Sequence, residues 1–208
     1  MLKLYYSPGA CSQAAHIALH EAGVEHQSER VDLRAKRTAS GADYWAINPK
    51  GTVPALDLGD GQVLTENAAI LQMIGDLSAN EALLPLVGDL KRYRVLEWLN
   101  FIATELHKGF GPLWNPASSE EARQGARDVL AKKFDLAEKQ LGAGPFLLGD
   151  QPTVADPYLF VIANWTAMHG IDLARWPGLV AFTRAMSERP AVQIVLRAEG
   201  LVEAEPAS

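Results

Sequence analysis

Apolar and polar residues alternate along residues 2–6, Leu-Lys-Leu-Tyr-Tyr, and the pattern then changes period. From Ser12 onward Ala14, Ala15, Ala18, Leu19 and Ala22 recur every three or four positions. This predicts a strand, a turn at Ser7-Pro8-Gly9, and a helix stopped by Gly23. Residues 26–33 alternate loosely and predict a second strand, residues 34–40 are polar and predict a loop, and residues 42–47 predict one or two helical turns ended by Asn48-Pro49. Residues 53–58 and 62–65 flank Gly59-Asp60-Gly61 and predict a hairpin. Pro54 cannot donate to a ladder, so the front of the first hairpin strand should be open or bulged. Ala68, Ala69, Ile70, Met73, Ile74 and Leu77 are helically spaced, with Thr65 or Asn67 as the cap.

Residues 78–89 lose all periodicity and contain Asn80, Pro85 and Gly88, and beyond them strand signals vanish. Residues 90–110 predict one long helix with Leu96, Leu99, Ala103, Leu106 and Phe110 on its apolar stripe, ended or bent at 109–112. Further helices are predicted from Ser118 or Ser119 to about Leu141, from a capping-box-like Thr153-Val-Ala-Asp156 through Thr166, over 176–189, and over 191–197. The last ten or so residues read as a tail. The organisation expected is therefore a mixed α/β domain at 1–78, a linker at 79–89 and an all-helical domain at 90–208.

At 208 residues, 48% hydrophobic and 21% charged, the chain has enough material for a proper core. Its net charge of −6 with no basic run argues against nucleic acid and anionic membrane as partners. No stretch approaches the roughly 18 apolar residues of a membrane span. The opening lacks a signal-peptide pattern, and one cysteine makes no internal disulfide, so a cytoplasmic location is expected. His16, His20, His26 and His169 lack a convincing metal-ligand spacing and read as surface or core residues, so no metal is expected.

Two features carry chemistry. Cys11, with Ser12 beside it, sits where the first strand turns into a helix, and a helix N-terminus presents unpaired N–H groups and about half a positive charge. A cysteine there is either a small packed side chain or one of a set of groups stabilising a thiolate, its own or a ligand's. On the predicted long helix, Tyr93, Glu97, Asn100, Thr104, His107 and Lys108 form a second stripe. Asn, Thr and His are poor choices for a purely solvated helix face, which points to the lining of a cleft.

Tyr-Ser-Pro-Gly-Ala-Cys-Ser at 6–12, Asn-Pro-Lys-Gly-Thr-Val-Pro-Ala-Leu at 48–56, Leu-Thr-Glu-Asn-Ala-Ala-Ile at 64–70 and Asn-Phe-Ile-Ala-Thr-Glu-Leu-His-Lys at 100–108 resemble the bacterial beta-class glutathione S-transferases. Thr153-Val-Ala-Asp156 matches the helix-opening motif of the wider superfamily. The resemblance implies a thioredoxin-like N-terminal domain, an all-α C-terminal domain and a homodimer. It places Cys11 near the glutathione sulfur and has Val53, before a cis Pro54, pair main chain to main chain with the tripeptide. It gives Glu66 and Asn67 to the γ-glutamyl end, Lys36 to the glycyl end, and Asn100, Thr104, His107 and Lys108 to the opposite wall. Position 67 departs from the pattern, where Ser or Gly is expected.

The function implied is detoxifying conjugation of the glutathione thiolate to a hydrophobic electrophile, with Cys11, Ser12 and His107 as the catalytic group. Phe110, Leu113, Trp114 and Trp165 would form the electrophile pocket. Two rivals remain: thiol–disulfide or peroxide reduction through a Cys11–glutathione mixed disulfide, and non-catalytic binding of hydrophobic compounds. The residue three after Cys11 is Ala14, so a dithiol relay is excluded.

Overall fold

The computed structural model describes residues 1–202, and the rest of the predicted tail lies outside the described residues. The chain divides into two compact units.

The first unit is built on a five-stranded sheet of order β3-β2-β1-β4-β5. These strands are β1 (Leu2–Tyr6), β2 (His26–Asp32), β3 (Arg37–Thr38), β4 (Ala55–Asp57) and β5 (Val63–Thr65). β1 runs parallel to β2 and antiparallel to β4, and the β3 and β5 edges are antiparallel to their neighbours. A parallel pair needs a crossover, and helix α1 (Ser12–Glu21) supplies it. The short α2 (Tyr44–Ile47) and the longer α3 (Asn67–Leu77) complete the helices of residues 1–81. Alternation along β1 sends Leu4 into the layer with α1 and α3, where Ile17, Leu19, Ile70, Leu71 and Ile74 are fully buried. Tyr5 points the other way into a cluster with Val31, Tyr44, Val53 and Ala55.

β3 lies in the stretch expected to be a loop. Asp32 Oδ1 accepts the N–H groups of Arg34 and Ala35, Lys36 takes φ +54, and the chain doubles back to pair Thr38 with Val31. A two-residue strand is too short to show alternation. β4 begins only after Pro54, in keeping with the open strand front. Thr65 and Asn67 do not cap α3: the cap position is Glu66, without a side-chain cap, and Asn67 is the first helical residue.

The second unit holds residues 82–186 and is all-helical: α4 (Leu90–Phe101), α5 (Gly111–Trp114), α6 (Glu120–Leu141), α7 (Asp156–Met168) and most of α8 (Pro177–Ser187). The single long helix expected over 90–110 is instead α4, a π-helical turn at Ile102–His107 and a 3-10 turn at Lys108–Phe110. The buried stripe runs through Val95, Leu99, Ile102, Leu106 and Phe110, with Leu96 and Ala103 only partly covered. Helix α7 is buried on nearly every side and forms the centre of this unit. Asp156 opens it, fully buried, with Oδ1 accepting the Leu147 N–H at 2.8 Å and Oδ2 accepting the Thr153 N–H at 2.7 Å and hydroxyl at 2.9 Å.

The division at residue 90 needs one correction. Helix α9 (Pro190–Ala198) packs on α1, and residues 187–202 belong to the sheet-bearing unit. Glu199, expected in a tail, is buried there. Its Oε2 accepts the Gly9 N–H at 2.9 Å and the Gln13 amide at 3.0 Å, while Oε1 meets His16 Nδ1 at 3.0 Å.

Candidate functional site

In the sheet-bearing unit the site residues gather where β1 turns into α1. Cys11 occupies the cap position of α1, 8% exposed, and its thiol donates to the Val53 carbonyl at 3.2 Å. Ser12 is fully buried, and its hydroxyl accepts the Ser7 N–H at 3.1 Å and lies 3.3 Å from the Ser7 carbonyl. That exchange with both backbone groups of Ser7 stitches the turn shut, so geometry gives Ser12 the task of holding Cys11 in place. Asn67 completes the bracket: its Nδ2 donates to the Cys11 carbonyl at 3.0 Å, and its buried Oδ1 has no partner.

The loop before β4 is held by its carbonyls. The Thr52 carbonyl accepts the Tyr44 hydroxyl at 2.8 Å and Asn48 Nδ2 at 2.7 Å, and the Gly51 carbonyl accepts Lys36 Nζ at 2.6 Å. Gly51 has φ +62, and a Cβ there would lie 2.5 Å from the Trp45 ring, so the position requires glycine. The Val53–Pro54 bond is cis. With its carbonyl on Cys11, Val53 keeps an N–H that no described residue accepts. An N–H at a strand front can pair with an extended peptide.

Among the described residues only Lys36 and Glu66 have positive φ without being glycine, at +54 and +73. Both flank this loop, Lys36 through Gly51 and Glu66 through its ion pair with Lys50 at 2.5 Å. Such backbone conformations are costly and cluster where a ligand must be met. At Glu66 the turn also leaves the first-turn N–H groups of α3 as an anion-binding end.

In the helical unit two polar side chains of the expected stripe bond to carbonyls of their own helix. Asn100 Nδ2 donates to the Leu96 carbonyl at 2.8 Å and the Thr104 hydroxyl to the Asn100 carbonyl at 3.0 Å, both from exposed side chains. Lys108 is exposed, whereas the π-helical turn draws His107 partly inward. There Nδ1 lies 2.7 Å from the hydroxyl of Tyr158, a buried residue of α7. Burial, and then Lys108, pull the His107 pKa down to about 4, so the imidazole is neutral near pH 7. It can act there as a neutral hydrogen-bonding group or base, not as a resident cation.

Aromatic rings continue from it. His107 to Trp165 is 5.0 Å between centroids, Trp165 to Phe110 is 5.6 Å, and Trp165 to Trp114 is 5.4 Å. Phe110 and Trp165 are buried while Trp114 is half exposed, and Leu113 is buried on the short α5. Of the four expected electrophile residues, three are thus joined edge to face. Tyr158, which orients His107, was missed by the sequence reading because a contact over 51 positions leaves no local signal. The bond from Asn67 to Cys11 was missed for the same reason.

Comparison with known proteins bears on the family. A family described as "Glutathione S-transferase, N-terminal domain" matches residues 8–77, and "Glutathione S-transferase, C-terminal domain" matches 101–190. Glutathione S-transferase GstA of Escherichia coli O157:H7 is 46% identical over 200 residues, spanning 96% of this chain and 100% of that protein. A sphingomonad glutathione S-transferase solved in complex with glutathione is 44% identical with a TM-score of 0.92, covering 96% of this chain and 100% of its own. The beta-class glutathione S-transferase of Sphingomonas chungbukensis, also 44% identical over 96% of this chain and 100% of its own, superposes with a TM-score of 0.91.

Proposed function

Because this chain belongs to the glutathione S-transferase family, in its beta class, we propose that it binds reduced glutathione and transfers its sulfur to hydrophobic electrophiles. The observation that carries the reading is the placement of two non-glycine positive-φ residues, Lys36 and Glu66, around the loop that ends beside Cys11. In this reading the Val53 N–H pairs with the tripeptide backbone next to Pro54. Glu66 takes the γ-glutamyl amine, the start of α3 at Asn67 takes its carboxylate, and Lys36 meets the glycyl carboxylate. Residues 1–78 serve as the glutathione domain, 79–89 as the linker, and the helical residues after 90 carry the electrophile site of Phe110, Leu113, Trp114 and Trp165.

The reaction needs the glutathione S–H to lose its proton, a carbon–sulfur bond to form, and the bond to the leaving group, such as chloride, to break. A thiol with an ordinary pKa near 8.5 is only a few per cent ionised at pH 7, so stabilising the thiolate is most of the work. The N-terminal end of α1 at Cys11 supplies N–H dipoles, and His107 with Asn100, Thr104 and Lys108 supplies the polar groups of the helical unit. The Cys11 thiol already donates to a carbonyl, which favours a supporting role over a nucleophilic one. We extend the proposal to a cytoplasmic role in detoxification and to a homodimer, the dimer alone being supported by the exposed run of Leu86, Val87, Leu90 and Tyr93.

Steady-state conjugation of a chloronitrobenzene tests the whole reading. Wild type should turn over with saturable glutathione, Glu66→Ala should raise the KM for glutathione, Cys11→Ala should lose activity only partly, and His107→Ala should lose about tenfold or more. No glutathione binding and no turnover would overturn the assignment. Weighing the intact protein after oxidised glutathione reads the rival: a stoichiometric Cys11 adduct that then reduces disulfides would favour thiol–disulfide exchange.

A further inference from the structure

Three histidines dismissed on spacing meet in the sheet-bearing unit. His16 and His20 stand one turn apart on α1, and His26 opens β2 just after the α1 stop. Ligand-type atoms of all three lie within 4.8 Å of one another. Ring centroids are 5.6 Å apart for His16 and His20, 5.9 Å for His16 and His26, and 4.9 Å for His20 and His26. We infer that His16, His20 and His26 form a three-imidazole binding site for a divalent first-row transition metal of the zinc and copper class.

Two of the rings have one nitrogen engaged by an acceptor behind it. His26 Nδ1 lies 2.8 Å from the Val24 carbonyl, which can only accept, so that nitrogen carries the proton and Nε2 keeps its lone pair. His16 Nδ1 faces Glu199 Oε1 at 3.0 Å, and the other Glu199 oxygen takes two further N–H donors, which makes the imidazole the donor here too. A carboxylate or carbonyl behind a ligating histidine is the usual outer support of a metal site: it sets the tautomer and raises the basicity of the free nitrogen.

The donor set decides the metal class. Three imidazole nitrogens with no oxygen ligand suit zinc, copper, nickel or cobalt and not calcium or magnesium. A tetrahedral centre with metal–nitrogen bonds near 2.0–2.1 Å places its nitrogens about 3.3 Å apart, so the cluster must contract slightly on binding. His16 is 1% exposed and forms the floor, while His20 and His26 are only half-buried and can tilt inward, leaving the fourth position to water. A bound ion would tie the middle of α1, the first residue of β2 and, through Glu199, the segment after α9.

The test uses the full chain without an affinity tag and without glutathione, titrated with Zn²⁺ by calorimetry and with Co²⁺ and Cu²⁺ by spectroscopy. One equivalent should bind, with Cu²⁺ resonance showing imidazole nitrogen couplings. His20→Ala and His26→Ala should each weaken metal binding at least tenfold, Glu199→Gln about 10- to 100-fold, and Cys11→Ser should leave the metal affinity as it is. The two half-buried substitutions are checked for folding by circular dichroism, and the wild-type copper spectrum stands whether or not they fold. The inference fails if no saturable equivalent binds, if binding survives both histidine substitutions, if it vanishes with Cys11→Ser, or if the copper signal shows only oxygen or sulfur ligands.

Discussion

Each compact unit contains one buried carboxylate that organises it, and the two are made in opposite ways. Asp156 takes all three of its donors from residues within nine positions of itself, Leu147 and Thr153. Glu199 takes its three from Gly9, Gln13 and His16, between 183 and 190 positions away. The first arrangement is a local helix-opening motif, and the second joins the end of the chain to the turn that carries Cys11. Equal chemistry therefore leaves unequal traces: one carboxylate announces itself as Thr-Val-Ala-Asp, and the other looks like one more acidic residue near a terminus.

The comparison predicts its own hierarchy of damage. Asp156→Ala should be the most severe change, because it strips three donors of their acceptor at a fully buried position. Unsatisfied buried donors cost about 1–3 kcal/mol each, and partial relaxation brings the expected loss to about 3–5 kcal/mol, read from the urea midpoint at constant slope. Glu199→Ala should lose somewhat less, about 2–4 kcal/mol, since the freed Gln13 amide and His16 ring can turn toward other partners while the Gly9 N–H cannot. Trypsin should then cut the variant's C-terminal segment early while the sheet survives. Equal losses with no change in proteolysis would erase the distinction between local and remote support.

The same contrast explains what could be read in advance. Turn residues, period changes and the Cys11 junction are local, so β1, α1, the hairpin and α3 were legible. The Val53–Pro54 loop was legible because proline at a strand front has one meaning in a ladder. The helix over 90–110 was legible only in part: its pattern gives no sign of the π-helical turn at 102–107, and the buried face takes Val95 and Ile102 in place of Leu96 and Ala103. Not legible were Glu199, Tyr158 and the histidine cluster, whose meaning depends on residues that only the folded chain brings near. Asn67 reads in sequence as one of two candidate caps beside Thr65, yet its amide holds the Cys11 carbonyl.

Burial lowers His107 to about 4 against 6.5, so between those values the unfolded chain binds more protons than the folded one. Stability from this group is whole above about pH 6.5 and is lost as pH falls towards about 4. At about 1.4 kcal/mol per unit, reduced because the ring is partly in water, the loss should be about 1–2 kcal/mol. Asp156, raised to about 6 by burial, contributes with the opposite sign across pH 4–6, its share declining as pH rises. Only the difference between wild type and His107→Gln isolates the histidine, and a difference that stays flat from pH 4 to 7 would rule out its neutral burial.

The smallest effect probes the second tie of the C-terminal segment. Arg189, just before α9, forks onto Glu21 at the end of α1, with Nε on Oε1 at 2.5 Å and a terminal nitrogen on Oε2 at 2.7 Å. The Glu21 side chain is 10% exposed and that of Arg189 28%, so the pair is neither a surface bridge worth almost nothing nor a sealed one. A planar fork on a carboxylate is the geometry lysine cannot copy. Arg189→Lys should therefore cost about 1 kcal/mol, and a double-mutant cycle with Glu21→Gln should return a coupling of similar size. Combined with Glu199→Ala, the loss should exceed the sum of the two single changes, because either tie alone still holds α9 against α1. Strict additivity would mean that the two anchors act independently, and that the segment is held residue by residue rather than as one piece.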